Sequence, residues 1–283
     1  MPRPHLEFLH AQQLPWQRAP FAGAAWRDTE IKLLSRDPLS GACSTIWRLP
    51  AGYRPPAFCL AGLAELFVLE GECSLQGECY GLDCYTAWPA GKSWLDFSSQ
   101  QGATLLAFFD REPQATAVDA GTGQHDAAMW VPRIDTHRTP WTSHDIDPSV
   151  QFLRLTHKVL RSVPETGERT ILLATGAQTH PKDWHEAQLR HDCVEEMYLL
   201  GGDIIGERGT MYEGAYFWRP PQVWHGPFGS RRGGLMIIRF SEGRHANEWG
   251  AERRLFSLTP AHAPAIPPDL SADARAAWHP ARY

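Results

Sequence analysis

The 283 residues, 43% hydrophobic and 21% charged, exclude a disordered or collagen-like chain, and they suffice for about two domains with apolar cores that need no disulfide staples. Lys and Arg number 27 against 32 Asp and Glu, a formal charge of -5 that gives nucleic acid no electrostatic hold as the main partner. No apolar run reaches the roughly 18–20 residues of a bilayer span, and the opening MPRPHLEFLHAQQLPW lacks a signal-peptide core, so a cytoplasmic protein that does not engage membranes is expected.

Along the chain, short runs of strand formers bounded by Gly, Pro and Asp follow one another, and the series comes twice at an offset of 125 to 132 residues. Leu14-Pro15-Trp16 opens the first series and Thr139-Pro140-Trp141 the second. Ile31–Leu34, then Pro38 and Gly41, stands against His157–Leu160, then Pro164 and Gly167. Ser44–Leu49 answers Thr170–Leu173, and Glu65–Gly71 answers Glu196–Gly202. Ala87-Trp88-Pro89 answers Arg219-Pro220-Pro221, and Gly102–Phe109 answers Gly233–Phe240. Leu75-Gln76-Gly77-Glu78 and Gly206-Glu207-Arg208-Gly209 read as hairpin turns. Only residues 145–156 and 248–256 suggest short amphipathic helices, so two antiparallel barrels or sandwiches are expected, with Val118–Gln124 as connector. Beyond them, the Ala- and Pro-rich stretch Pro260–Pro268 reads as an extended arm, with a short helix near Ala272–Trp278 and with Trp278 and Tyr283 used in packing.

The six cysteines form no CxxC pair and read as thiols packed as small hydrophobes; a Cys73–Cys79 or Cys79–Cys84 bridge is the alternative. Histidine divides the halves more sharply. None of the 13 lies between His10 and His125, so the two repeats should differ in chemistry. In the second, His191, Glu195 and His225 offer two imidazoles and a carboxylate, a set that holds a divalent first-row metal and leaves positions open for water, oxygen or substrate. A straight strand would hold His191 and Glu195 roughly 13 Å apart at about 3.3 Å per residue. The chain must therefore bend through Asp192-Cys193-Val194, and the stiff Pro220–Trp224 approach must return His225 to them.

These residues also carry a likeness. Glu195 is followed by six residues and then Gly202, His191 stands four before Glu195, and Gly214–His225 begins with Gly and sets Pro before a histidine. In this the chain resembles the cupin superfamily, in its two-domain or bicupin form, over most of residues 14–240. The stretch from Glu195 to His225 is similar to ChrR-like anti-sigma domains and to the acetylacetone-dioxygenase-like group. The resemblance implies an all-β fold of two tandem cupin (double-stranded β-helix, jelly-roll) barrels with few short helices, and a metal at His191, Glu195 and His225. It implies a further histidine where Leu189 stands, and His185, from a stretch seven residues longer than its counterpart, is the first replacement, with His180 and Cys193 behind it. In the first repeat the matching positions are Phe58, Leu60, Ala64 and one of Lys92, Ser93 or Trp94, so that unit is expected to be free of metal. The expected domains are 1–123 (degenerate), 124–247 (metal-bearing) and a packed extension 248–283.

Tyr198, Met211, Tyr216, Phe217, Trp218, Trp224, Phe228 and Met236 are candidates for an apolar lining. Arg219 is the first candidate to receive an anionic substrate, ahead of Arg190, Arg231, Arg232 and Arg239, and Glu196 is the candidate base or partner of His191. The resemblance points to one divalent metal, Fe(II) for an enzyme and otherwise Zn, Mn or Ni, and to a dioxygenase that cleaves a C–C bond in a small carbonyl or phenolic compound. A ligand-binding or regulatory bicupin and a non-oxidative isomerase or hydrolase are the alternatives, and a homodimer is the expected assembly.

Overall fold

The computed structural model describes residues 3–118, 124–270 and 272–279; Asp119–Gly123 of the expected connector and Tyr283 lie outside them. The chain divides into two compact units, one of Met1–Pro4 and Pro15–Thr139, the other of His5–Leu14 and Pro140–Tyr283.

In the first unit one antiparallel sheet runs in the order Val131–Asp135, Cys84–Trp88, Ala64–Gly71, Ala103–Phe109, Cys43–Leu49, Glu30–Arg36 and Gln17–Arg18. Alternation sets its faces: Ala64, Leu66 and Val68 enter the core, where Trp26, Trp47, Trp88, Trp94, Phe58 and Phe97 fill the interior. The hollow left there is about 10 Å³, too small for a ligand. The hairpin Cys73–Leu75 to Glu78–Tyr80 turns through Gln76 and Gly77, both with positive φ (51° and 79°), as a two-residue turn between twisted strands requires.

The second unit repeats the plan. Its sheet runs Leu6–His10, Ala215–Arg219, Val194–Gly206, Gly234–Ser241, Glu168–Thr175 and Thr156–Val163, with Gly209–Tyr212 paired back on Val194–Gly206 across the expected turn. His185–Arg190 and Glu248–Leu255 form a separate two-stranded pair. Among the described residues both large sheets are antiparallel and cupin-like, but neither closes into the barrel expected. In this unit single bridges, Glu7 to Ala265 and Thr142 to His157, lie on the two edge strands.

The helix expected over 248–256 is a strand, because its backbone pairs with His185–Arg190 and its charges form cross-strand pairs, Arg190 with Glu248 and Arg253 with Glu186. The one over 145–156 is a 3-10 turn, Pro148–Leu153, capped by the Asp147 carboxylate on the Ser149 N–H. No described helix is long and apolar enough to cross a membrane. All six cysteines are free, with five buried and Cys79 exposed. Trp278 packs with its ring 5.6 Å from that of His10.

A repeated glycine pair explains part of the likeness between the halves. Gly71 and Gly202 have positive φ (71° and 80°), and a Cβ on either would collide with the carbonyl oxygen of Gly102 or Gly233 respectively. Gly202→Ala should therefore destabilise the protein by roughly 1–3 kcal/mol. Gly201→Ala, with nothing within 4 Å of its Cβ, should leave the melting temperature nearly unchanged, so equal melting of the two variants would refute this reading.

Candidate metal centre

Three backbone devices bring the triad together. The strand His185–Arg190 ends just before His191, and Val194–Gly206 begins just before Glu195, so the bend demanded by ligand reach falls at residues 191–193. Past the Pro220-Pro221 turn, the Gln222 N–H donates to the His191 carbonyl at 2.8 Å. Leu189 and His225 then exchange both backbone hydrogen bonds, each 3.0 Å, which sets His225 beside the strand that leads to His191.

The side chains follow. Glu195 Oε2 lies 3.7 Å from His191 Nε2 and 3.7 Å from His225 Nε2, and the ligand atoms of the three residues all lie within 4.8 Å of one another. His191 Nδ1 sits on the Ala246 carbonyl at 3.1 Å and His225 Nδ1 on the Val223 carbonyl at 2.9 Å. A carbonyl only accepts, so each Nδ1 carries a proton and each Nε2 is the ring nitrogen that faces Glu195. Burial, reinforced by the nearby Arg219 and His191, holds His225 well below the ordinary histidine pKa and therefore neutral. The set fits a divalent ion: bonds of about 2.1 Å place ligand atoms roughly 3–3.5 Å apart around one centre, close to the separations found.

Arg219 has a different place from the one expected. It is 2% exposed and locked between two carboxylates, Glu195 through Nη1 and Glu7 through Nε at 2.7 Å. Arg208 adds a second cation to Glu7 at 3.1 Å. Arg219 thus fixes the Glu195 carboxylate and does not line the cavity on which the triad opens. Glu196, one residue on, points to the other side of the sheet, where it accepts from the Tyr216 hydroxyl at 2.5 Å and from Arg239 at 2.6 Å. His185 is exposed, its Nδ1 on the Asp183 carbonyl at 2.6 Å, and it is not part of the group. His180 stacks on Trp184 at 3.9 Å. Cys193 is buried in the apolar cluster with Met197 and Phe240, where burial first and Glu195 second push its thiol up to about 12.

The triad opens on a cavity of about 740 Å³. Of the expected lining, Met211, Phe217, Phe228 and Met236 face it; Tyr198, Tyr216 and Trp218 alternate to the opposite side, and Trp224 lies under Arg190 at 4.5 Å. In the first unit the bridge Phe58–Trp94 stands where Leu189–His225 stands in the second, 131 residues apart at both ends. Trp94 is thus the counterpart of His225, and Leu60, Ala64 and Trp94 offer no ligand atom there.

Three further residues belong to the site. Glu7 reaches it from the N-terminal strand. His245 lies against His191 with ring centroids 4.3 Å apart, and burial, His191 and Arg169 hold it neutral. Arg169 lines the same cavity. No motif marks these three; the only sequence hint is that His245 adds to the histidines of the second half.

The profile of a family described as a domain of unknown function, DUF4437, matches residues 7–247. No curated protein matches the chain significantly. Among solved structures, a provisionally named dioxygenase from Nostoc punctiforme is 19% identical, with 90% of this chain and 92% of that chain covered at a TM-score of 0.73. Protein Ylba from E. coli is 11% identical over 84% of this chain and 91% of its own, with a TM-score of 0.54. Oxalate decarboxylase from Bacillus subtilis is 10% identical over 86% of this chain and 78% of its own, with a TM-score of 0.50. At these identities the likeness is one of fold, that of the two-domain cupins.

Proposed function

Because the chain belongs to the DUF4437 family and its second, cupin-like unit gathers His191, Glu195 and His225, we propose that it is a metal-dependent enzyme, a non-haem iron dioxygenase that cleaves a C–C bond in a small carbonyl or phenolic compound. The observation that carries this reading is the pair of imidazoles, each held through Nδ1 by a backbone carbonyl and aimed with Glu195 into a cavity of about 740 Å³. A divalent ion bound there supplies a Lewis acid and, as Fe(II), a centre for oxygen activation. The chain does the rest. Arg219 orients Glu195, and the Ala246 and Val223 carbonyls fix the orientation of the two rings. Phe217, Phe228, Met211 and Met236 supply an apolar wall that excludes bulk water and suits a compact organic substrate. The dioxygenase name of the Nostoc punctiforme relative accords with this reading.

The test is elemental analysis of protein purified without added metal, then anaerobic reconstitution with Fe(II) and oxygen-uptake measurements on a panel of 1,3-diketones and phenols. Substrate-dependent oxygen uptake that His225→Ala abolishes is expected. Tightly held zinc with no uptake from any reconstituted form would overturn the dioxygenase and leave a binding cupin. Turnover without oxygen would favour an isomerase or hydrolase.

A further inference from the structure

The cavity wall carries an arginine, Arg169, that makes no ion pair with a carboxylate among the described residues. Arg169 is the first of the inward-facing residues on the Glu168–Thr175 strand, followed by Ile171, Leu173 and Thr175. Its guanidinium rests over the Phe240 ring at 5.2 Å and reaches His245 Nδ1 at 3.4 Å, a neutral partner. Among the described residues no carboxylate lies within ion-pair distance of it. The two nearby acids of the cavity wall hydrogen-bond or pair with closer donors, and Asp145 acts on Arg169 only through space. Asp145 pairs with His144 at 2.7 Å, and Asp147 accepts from Ser149 N–H at 2.8 Å and from the Asn247 amide at 2.6 Å. The other candidate arginines are taken: Arg219 by Glu7 and Glu195, Arg190 by Glu248, Arg239 by Glu196, and Arg231 by the Leu258 carbonyl. One imidazole, that of His245, separates Arg169 from His191.

We propose that Arg169 anchors a carboxylate of the substrate, so that the cavity takes a small organic anion whose apolar part lies on Phe240 and whose other end faces the triad. This rests on the metal-enzyme reading for the role of the triad, but the anchor is testable without turnover. A guanidinium offers a planar pair of N–H donors that matches a carboxylate. Burial disfavours the charge of Arg169, whose pKa is lowered from the ordinary arginine value, and an incoming anion would relieve that cost. A half-buried cation that meets a neutral isostere recovers none of this, so the site should select the anion.

The experiment measures binding of benzoate and of its neutral isostere benzamide by calorimetry, on the full chain with and without Zn(II). Benzoate is expected to bind the wild type about tenfold or more tightly than benzamide, and Arg169→Gln should remove that preference by weakening benzoate to a similar degree. Arg169→Lys should keep part of it, and metal stoichiometry should be the same in all three proteins. Equal binding of the two probes, no binding of benzoate to the wild type, or benzoate binding that Arg169→Gln leaves intact would each overturn the anchor. Charge-selective binding by a protein that takes up no metal would keep the anchor and sink the metal reading instead.

Discussion

His225→Ala should lower bound divalent metal from about one ion per chain to a small fraction of that, with affinity falling beyond the roughly 10–100-fold that loss of an outer-shell partner costs. Its imidazole is 1% exposed and has no role in the backbone bridge to Leu189, which is made by main-chain groups and should survive the substitution. The variant should therefore fold, at a cost of about 1–3 kcal/mol for the buried side chain removed. Glu195→Ala is the weaker test, because it also strips Arg219 of one of its two carboxylates and so mixes metal loss with instability. Glu195→Gln separates the two by keeping the shape. His185→Ala, at an exposed side chain outside the group, should bind metal like the wild type. Elemental analysis after dialysis, with thermal melting on the same samples, gives the answer. Full metal content in His225→Ala, or its loss in His185→Ala, would show that the ion sits elsewhere.

How far this centre can be read from residue order depends on how local its causes are. The bend between His191 and Glu195 follows from ligand reach alone, and it falls where the two strands meet. The hairpin turns at Gln76-Gly77 and at Glu207-Arg208 announce themselves through short-range turn chemistry and flanking strand formers. The repeat is visible because strand order, glycine pairs and proline approaches recur in register. The strand Glu248–Leu255 is a different matter. Its charged sequence suits a helix face, and only pairing with a segment some 60 residues earlier makes it a strand. Trp94 as counterpart of His225 could not be chosen over Lys92 and Ser93 until the Phe58 bridge fixed the register. Least legible of all is Glu7. It meets Arg219 across 212 residues of chain, because the N-terminal strand Leu6–His10 pairs with Ala215–Arg219 in the second unit. The repeat contains no sign of that assignment. The surroundings of Arg219 are hidden for the same reason, since both of its carboxylates come into view only with the fold.

That buried network carries the largest expected effect on stability. Glu7→Ala should destabilise the second unit by about 3–5 kcal/mol, the usual cost of stranding a buried charge. Arg219 would keep Glu195 alone, and Arg208 would lose its partner. Replacing Glu7 and Arg219 together with Leu should recover part of the loss, because no uncompensated charge then remains beside them. Acid should expose the same network. Burial raises the pKa of Glu7, but the charge of Arg219 and the hydrogen bonds from His5 and Arg219 outweigh it, and the net result lies far below the ordinary 4.5. A carboxylate whose folded pKa is depressed binds its proton more readily when unfolded. Its contribution is therefore complete above about 4.5 and is lost as pH falls from there toward the folded value. Wild type and Glu7→Gln, compared by urea unfolding at pH 7, 5 and 3, should differ most at the two higher values, and the gap should narrow at the lowest. A gap that stays constant across the series would mean that Glu7 stabilises the sheet by packing rather than by its charge.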